Sequence, residues 1–508
     1  MRPPLTALAA GALLAGPTAL AFFTGGYFEG PRVTAGIVAG GLVLLAALVS
    51  PRPLPRSRSG RLAIGAMALF VAWSGASISW APVKQDAYGD LERLLLYLAV
   101  LVAGAAFLRG RVALAAVEPA LAAGCAIVVT YGLSERLLPG VLHFEQSFGA
   151  AGRLEQPLTY WNAMGALGAL GIVLCARLAG DASRAPWMRA AAAACAAPLG
   201  AGFYLTFSRG AYGALIAGGL LLVVLSPTRS QLRGAAIVIA AAAVPAAFAA
   251  SLKSVQTLQG GLGHREAQGA IELAAIVVSA AGATLAAAAI ARRERQRLLR
   301  TGAVRLPSRA VLAAAVPLAL VGLVALGGIV HERHHASTFR SPTSGASRLV
   351  SLSNNRYDYW DVAFDSFARH PLVGVGAAGF REEWLAHRTV PEIARDAHSL
   401  YIETAAELGL VGLAILAALI AGAAASARAA VRVYPVRAPG MVAALVAFAV
   451  HAGLDWDWEF PTLSLIAIVL VGALIAAGDG AVAPAPTALG TQGRRLGSGL
   501  RARRRALA

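Results

Sequence analysis

Residues 462–478 read TLSLIAIVLVGALIAAG, a run without a single charge. A helix rises about 1.5 Å per residue, so a run of this length reaches across the apolar core of a bilayer, which takes about 17–25 residues. Moving back along the chain, similar runs lie at about 5–24, 33–50, 62–79, 91–108, 112–133, 161–179, 190–207, 211–226, 234–250, 270–290, 311–330, 399–424 and 440–454. The composition agrees. The 508 residues are 57% hydrophobic and 14% charged, with a mean hydropathy of +0.65. An ordinary soluble domain has about 45–50% apolar and 25% charged residues. So large an apolar share cannot be hidden in soluble cores at this length, which excludes a soluble multidomain enzyme. The expected fold is an all-α polytopic integral membrane protein of about 12–14 transmembrane helices with one large extracytoplasmic loop. Arg2 ahead of the first run, and Ala19-Leu20-Ala21 at its end, resemble a signal peptide, but the many spans that follow favour a retained helix.

A net charge of +18 and a pI near 10.8 would suggest nucleic acid in a soluble chain. Their distribution argues otherwise. With both termini cytoplasmic, the inner side carries Arg2, Arg52 to Arg61, Arg109 and Arg111, Arg177 to Arg189, Arg229 and Arg233, Arg292 to Arg309, Arg428 to Arg437 and the tail from Arg494. Those are 28 basic residues, joined only by Asp181, Glu294 and Asp479. This is the positive-inside pattern, attracted to anionic cytoplasmic lipid, and no nucleic-acid partner is needed to explain it. Cys125, Cys175 and Cys195 each sit inside an apolar run and offer neither a disulfide framework nor metal-ligand spacing.

The polar residues that remain gather on the outer side, in a short loop at about 134–160 and a long one at 331–397. The chain thus divides into a bundle of about 11 helices at 1–330, the extracytoplasmic loop at 331–397, further spans at 398–478, and a basic cytoplasmic tail at 479–508 whose composition predicts disorder. Within the long loop, Asn354 or Asn355 caps an expected amphipathic helix with Tyr357, Trp360, Phe364 and Phe367 in one stripe. Such a helix would lie along the membrane surface and roof the bundle. Gly374, Gly376 and Gly379 then read as a flexible turn.

Three groups of residues carry candidate chemistry. Asp396-Ala397-His398-Ser399 opens a span that continues through Glu403, Glu407, Gly409 and Gly412. Ser208-Arg209-Gly210 joins two apolar runs with almost no loop, placing a guanidinium at the outer mouth, where it requires an anion: a carboxylate such as Glu407, or a phosphate. Arg356 and Arg153 add two outer arginines.

Taken together, these segments resemble the bacterial O-antigen ligase and O-antigen polymerase family of membrane glycosyltransferases. His398-Ser399, nine residues, then Gly409-Leu410-Val411-Gly412 fits the family's His-[Asn/Ser]-x9-Gly-x-x-Gly signature. Arg356 to Trp360, leading to Pro371-Leu372-Val373-Gly374-Val375-Gly376, is similar to its Arg-x3-Trp … Pro-[Leu/Ile]-x-Gly-x-Gly run. Ser208-Arg209-Gly210-Ala211 is the third feature, and Trp73 to Trp80 and Gly152-Arg153 with Tyr160-Trp161-Asn162 are weaker echoes. The chain departs from the family in having more than its usual span count of about 12, and in Ser399 standing where Asn is commoner.

The resemblance implies a saccharide donor on undecaprenyl diphosphate, an acceptor hydroxyl on a glycan or lipid, inversion, and neither cofactor nor metal. It implies His398 as base, Arg209, Arg356 and Arg153 on the diphosphate, and support from Asp396, Glu403 or Glu407. It does not separate ligase from polymerase. A rival reading is a transporter of small anions, with the same arginines along a path and His398 relaying protons; the sequence shows no repeat or broken-helix pair for it. Two further motifs are weighed and set aside. His331-Glu332-Arg333-His334-His335 fits a zinc-binding His-Glu-x-x-His but lacks a further ligand. Asp455-Trp456-Asp457 sits among Trp458, Phe460 and Pro461 and reads as an aromatic belt at a tight hairpin.

Overall fold

A computed structural model describes residues 3–301 and 356–480. Among them every regular element is helical: α1 Pro3–Ala21, α2 Glu29–Val49, α3 Arg58–Ser77, α4 Lys84–Phe107, α5 Gly110–Leu137, α6 Trp161–Gly180, α7 Pro186–Leu205, α8 Arg209–Leu225, α9 Arg229–Ser251, the short α10 Lys253–Thr257, α11 Leu262–Thr301, α12 Arg356–Arg369, α13 Phe380–His387, α14 Leu400–Val433, α15 Ala438–Ala452 and α16 Pro461–Asp479. Nine of the described helices are long and apolar enough to cross a membrane, and α8 and α15 are shorter apolar ones. The expected span at 311–330, the His331 to His335 motif, the cap at Asn354 or Asn355 and the tail from 481 lie outside the described residues.

Helices α6 and α16 are apolar on all sides and buried along their whole length, as such sequences require. They form the centre. Helix α4 closes on α16 through Gly104 and Gly472, where a Cβ on Gly104 would lie 3.4 Å from the Gly472 Cα; small residues let spanning helices approach this closely. Helices α2 and α11 leave most of their surface open at the periphery.

Buried charge separates the two ends of the bundle. At one end, Asp479 accepts the Arg56 and Ser57 backbone N–H groups at 2.7 Å, Asp181 pairs with Arg177 at 3.2 Å, and Glu294 with Arg189 at 2.9 Å. Each of the three acids of the arginine-rich side is therefore neutralised there. At the opposite end the connections 22–28, 138–160 and 453–460 meet, with Tyr27 5.5 Å from Trp456 and the Tyr160 hydroxyl donating to Asp455 at 2.7 Å.

This second end is roofed by residues 356–399. Helices α12 and α13 pack on α14 through a small core of Tyr359, Val362, Ala363, Phe380, Trp384 and Ala406. The packed face of α12 is thus Tyr359, Val362, Ala363 and Ser366, while Phe364 of the expected stripe is 49% exposed. The helix is apolar on two faces, and the smaller one, with Ala363 and Ser366, permits the closer approach.

Gly374, Gly376 and Gly379 do not form a flexible turn. Residues 371–376 dock edge-on against α14, which breaks at Gly409 (φ 64°, ψ −163°). Leu410 N–H donates to Pro371 O at 2.8 Å, Val375 N–H to Ala406 O at 3.0 Å, and Gly376 N–H to Glu407 O at 2.8 Å. A Cβ at Gly409 would sit 2.3 Å from Leu372 O, and one at Gly374 2.3 Å from Glu407 O. The two glycine motifs are therefore the two sides of one backbone contact. Gly409→Ala meets both a forbidden backbone conformation and this clash, and is expected to cost about 2–4 kcal/mol, read as a lowered unfolding midpoint of the purified protein.

Candidate active site

Five helices begin at the roofed end around one locus: α6 after Tyr160, α8 at Arg209, α12 at Arg356, α14 after Ser399 and α16 after Phe460. Helix N-termini carry N–H groups outside the helical ladder and partial positive charge, a setting suited to an anion.

His398 sits just ahead of α14 in a left-handed conformation (φ 54°), which is uncommon for a residue with a Cβ. Two interactions hold it there. Ser399 caps α14, accepting from Ile402 N–H at 3.5 Å, and Glu403 accepts the Ala397 N–H at 2.7 Å. The half-buried imidazole lies 5.0 Å from the Tyr359 ring and 6.0 Å from that of Trp456. Its Nδ1 is 3.0 Å from the backbone oxygen of Asp396. A carbonyl only accepts, so Nδ1 carries the hydrogen and the neutral ring keeps its lone pair on Nε2. Burial, the largest effect, lowers the imidazole below its ordinary pKa; Asp455 pulls it up and Arg356 down.

Arg356, at the start of α12, pairs with Asp455, which is 1% exposed. The other Asp455 oxygen accepts from the Tyr160 hydroxyl at 2.7 Å and Trp456 N–H at 3.0 Å, and Asn162 donates to Tyr160 at 2.8 Å. Burial pushes the Asp455 carboxyl up, but Arg356, with His398 and His451, outweighs it and holds it below the ordinary carboxylate range. Asp457 bonds His451, and both are fully buried. The Asp455-Trp456-Asp457 hairpin is therefore a buried polar centre rather than an aromatic belt. The rings of Tyr27, Tyr160, His398 and Phe460 surround Trp456.

The remaining residues divide between this centre and its surroundings. Arg209 opens α8 beside Gly210, which faces the His451 ring. Arg153 lies farther back: its guanidinium stacks 3.5 Å from the Trp161 ring centroid and donates to Ala150 O at 2.7 Å. Asp396, Glu403 and Glu459 bring carboxylate oxygens within 4.8 Å of one another, a spacing compatible with a cation, and Arg93 reaches Glu459 at 3.3 Å. Burial pushes the Asp396 carboxyl up to about 7, with Arg93 and Arg395 pulling the other way. Glu407 accepts the Phe380 N–H at 3.1 Å. His451, Asp455, Asp457, Glu459 and Arg93 were not singled out from sequence as site residues. A histidine inside the apolar run at 440–454 was the available signal.

The arrangement defines a multi-pass membrane protein in which, among the described residues, a polar centre at the roofed end combines a neutral imidazole with cationic groups. Residues 272–417 match the family model described as O-Antigen ligase, which supports the resemblance to the O-antigen ligase and polymerase family. The matched stretch includes Arg356, the glycine contact and His398, but not Arg153, Arg209 or Asp455. A comparison with curated proteins found no match. The match supports glycosyltransferase-like chemistry on lipid-linked glycans in a membrane.

Removing one partner of a buried ion pair strands the other. Arg356→Ala or Asp455→Ala is expected to cost about 3–5 kcal/mol, and a double-mutant cycle in denaturant to give a coupling of about 1–3 kcal/mol.

Proposed function

We propose that this protein transfers a saccharide from undecaprenyl diphosphate to an acceptor hydroxyl, on a glycan chain or a lipid, at the outer face of the cytoplasmic membrane, with inversion and without a metal. Both termini then lie in the cytoplasm. The observation that carries the reading is the His398 imidazole, with Nδ1 on a carbonyl and its Nε2 lone pair left for a proton, beside Arg356 where helix N-termini converge.

In this reading the acceptor oxygen attacks the anomeric carbon while His398 Nε2 takes its proton. The bond from that carbon to the phosphate oxygen breaks, and negative charge moves onto the diphosphate. Arg209 and Arg356 stabilise it, with Arg153 as a third contact, and the N-termini of α8 and α12 add their partial charge. Arg356 has five N–H donors, so it reaches the diphosphate while Nη2 stays on Asp455. The carboxylates act through the backbone: Glu403 holds the peptide N–H next to His398, and Glu407 anchors the start of α13. Asp396 contributes the carbonyl that sets the imidazole tautomer.

The test is transfer from an undecaprenyl-diphosphate-linked glycan in proteoliposomes. His398→Ala and Arg209→Ala, each checked for folding, are expected to lower the rate about 10²–10³-fold, and wild-type rates from folded variants would refute the site. Linkage of the product to a growing chain or to another lipid separates polymerase from ligase. Because burial lowers the His398 pKa, the base stays neutral to a lower pH than an ordinary imidazole, and the rate should fall only on acidification beyond that, as the ring protonates. His398→Ala loses this acid limb together with the rate.

A further inference from the structure

His451 occupies the last turn of α15, an otherwise apolar helix, and is wholly buried. Its Nδ1 bonds the Asp457 carboxylate, while its Nε2 has no partner among the described residues. A buried dyad avoids net charge, because a lone ion taken out of water is costly. It has two neutral forms: imidazolium with carboxylate, or carboxylic acid donating to Nδ1 of a neutral ring. In both, the hydrogen is on Nε2, which is therefore a donor.

That donor faces the beginning of α8, where a Cβ on Gly210 would lie 3.3 Å from Nε2. Other donors meet it there. Ser208, the cap residue of α8, is 2% exposed; its hydroxyl makes no cap bond and finds no partner among the described residues. The first-turn N–H groups of α8, the helix that Arg209 opens, belong to the same helix start. A buried imidazole N–H, a buried hydroxyl and a helix N-terminus, all donors at one helix start, are satisfied together by an oxyanion.

We infer that His451, oriented by Asp457, is a hydrogen-bond donor to a phosphoryl oxygen of the lipid diphosphate, in a subsite completed by Ser208 and the start of α8. The identity of the anion rests on the proposed transfer reaction. In that step the acceptor oxygen bonds to the anomeric carbon, the carbon–oxygen bond to phosphate breaks, and the acceptor proton goes to His398. His451 keeps its own proton and holds the charge that appears on the leaving diphosphate.

The experiment compares binding of undecaprenyl diphosphate and undecaprenol to the full chain in nanodiscs. His451→Phe keeps a ring of similar size and removes the donor. It should weaken diphosphate binding about 10–100-fold and leave undecaprenol binding unchanged, while His451→Gln, which retains an N–H near Nε2, recovers most of the loss. Ser208→Ala, too small a change to unfold the protein, should cost about 3–10-fold with the same selectivity. Unchanged diphosphate affinity, or equal loss of both ligands, overturns the inference. Arg209→Ala, run alongside, separates the two layers of the argument. If it loses diphosphate affinity while His451→Phe and Ser208→Ala do not, only this inference fails. If none of the three does, the diphosphate reading fails with it.

Discussion

Asp455 is the node on which the polar end of the bundle depends. A carboxylate this far from water has to be answered by donors, and it recruits them from three separate parts of the chain: Arg356 at the head of α12, Tyr160 at the head of α6, and its own neighbour's backbone at Trp456. Helices α6 and α16 are, among the described candidate spans, the two buried throughout, so their heads start from the packed centre of the bundle. Tying Arg356 to them fixes the roof to the bundle. One unpaired charge would be intolerable there, and the pairing that avoids it also places the cationic and basic groups around one locus.

The second constraint is backbone contact. Residues 371–376 lie so close to the broken turn of α14 that no side chain fits between them, and the break frees backbone groups that the docked segment then satisfies. Non-helical backbone at such a depth persists only where protein buries and pairs it. The same rigidity supports His398. A residue with a Cβ in the left-handed region costs about 1–2 kcal/mol, which the cap at Ser399 and the Glu403 bond to Ala397 offset by fixing the peptides on either side. The imidazole is held in one position by strain that its neighbours over-determine, which fits the base role proposed for it.

Much of this was legible in the sequence, because membrane-spanning helices are written in long apolar runs and a histidine or arginine interrupting polar–apolar borders stands out. His398, Arg209 and Arg356 were visible for that reason. Three features were not. The Asp455-Trp456-Asp457 hairpin carries so much aromatic area that it imitates an interface, and only the central position of α6 and α16 shows that its carboxylates are buried. Helix α12 has apolar residues on two faces, and periodicity cannot tell that Ala363 and Ser366 face inward while Phe364 does not. Gly374 and Gly409 each read as local flexibility; their actual role is a contact between segments some 35 residues apart, which no local pattern encodes.

The site holds two histidines, and their partners give them opposite capacities. His398 rests on a carbonyl, which can only accept, so its neutral ring offers a lone pair on Nε2; burial and Arg356 discourage any further proton. His451 rests on a carboxylate, and electroneutrality in a dry setting leaves a hydrogen on Nε2 instead. One imidazole can take a proton, and the other can donate a hydrogen bond without losing its own. The proposed displacement, which creates positive character at the nucleophile and negative charge at the leaving group, would use both capacities, on different sides of the reacting carbon. Separating them by the hydrogen-bond partner of Nδ1, instead of by residue type, gives two copies of one side chain opposite capacities at the same pH.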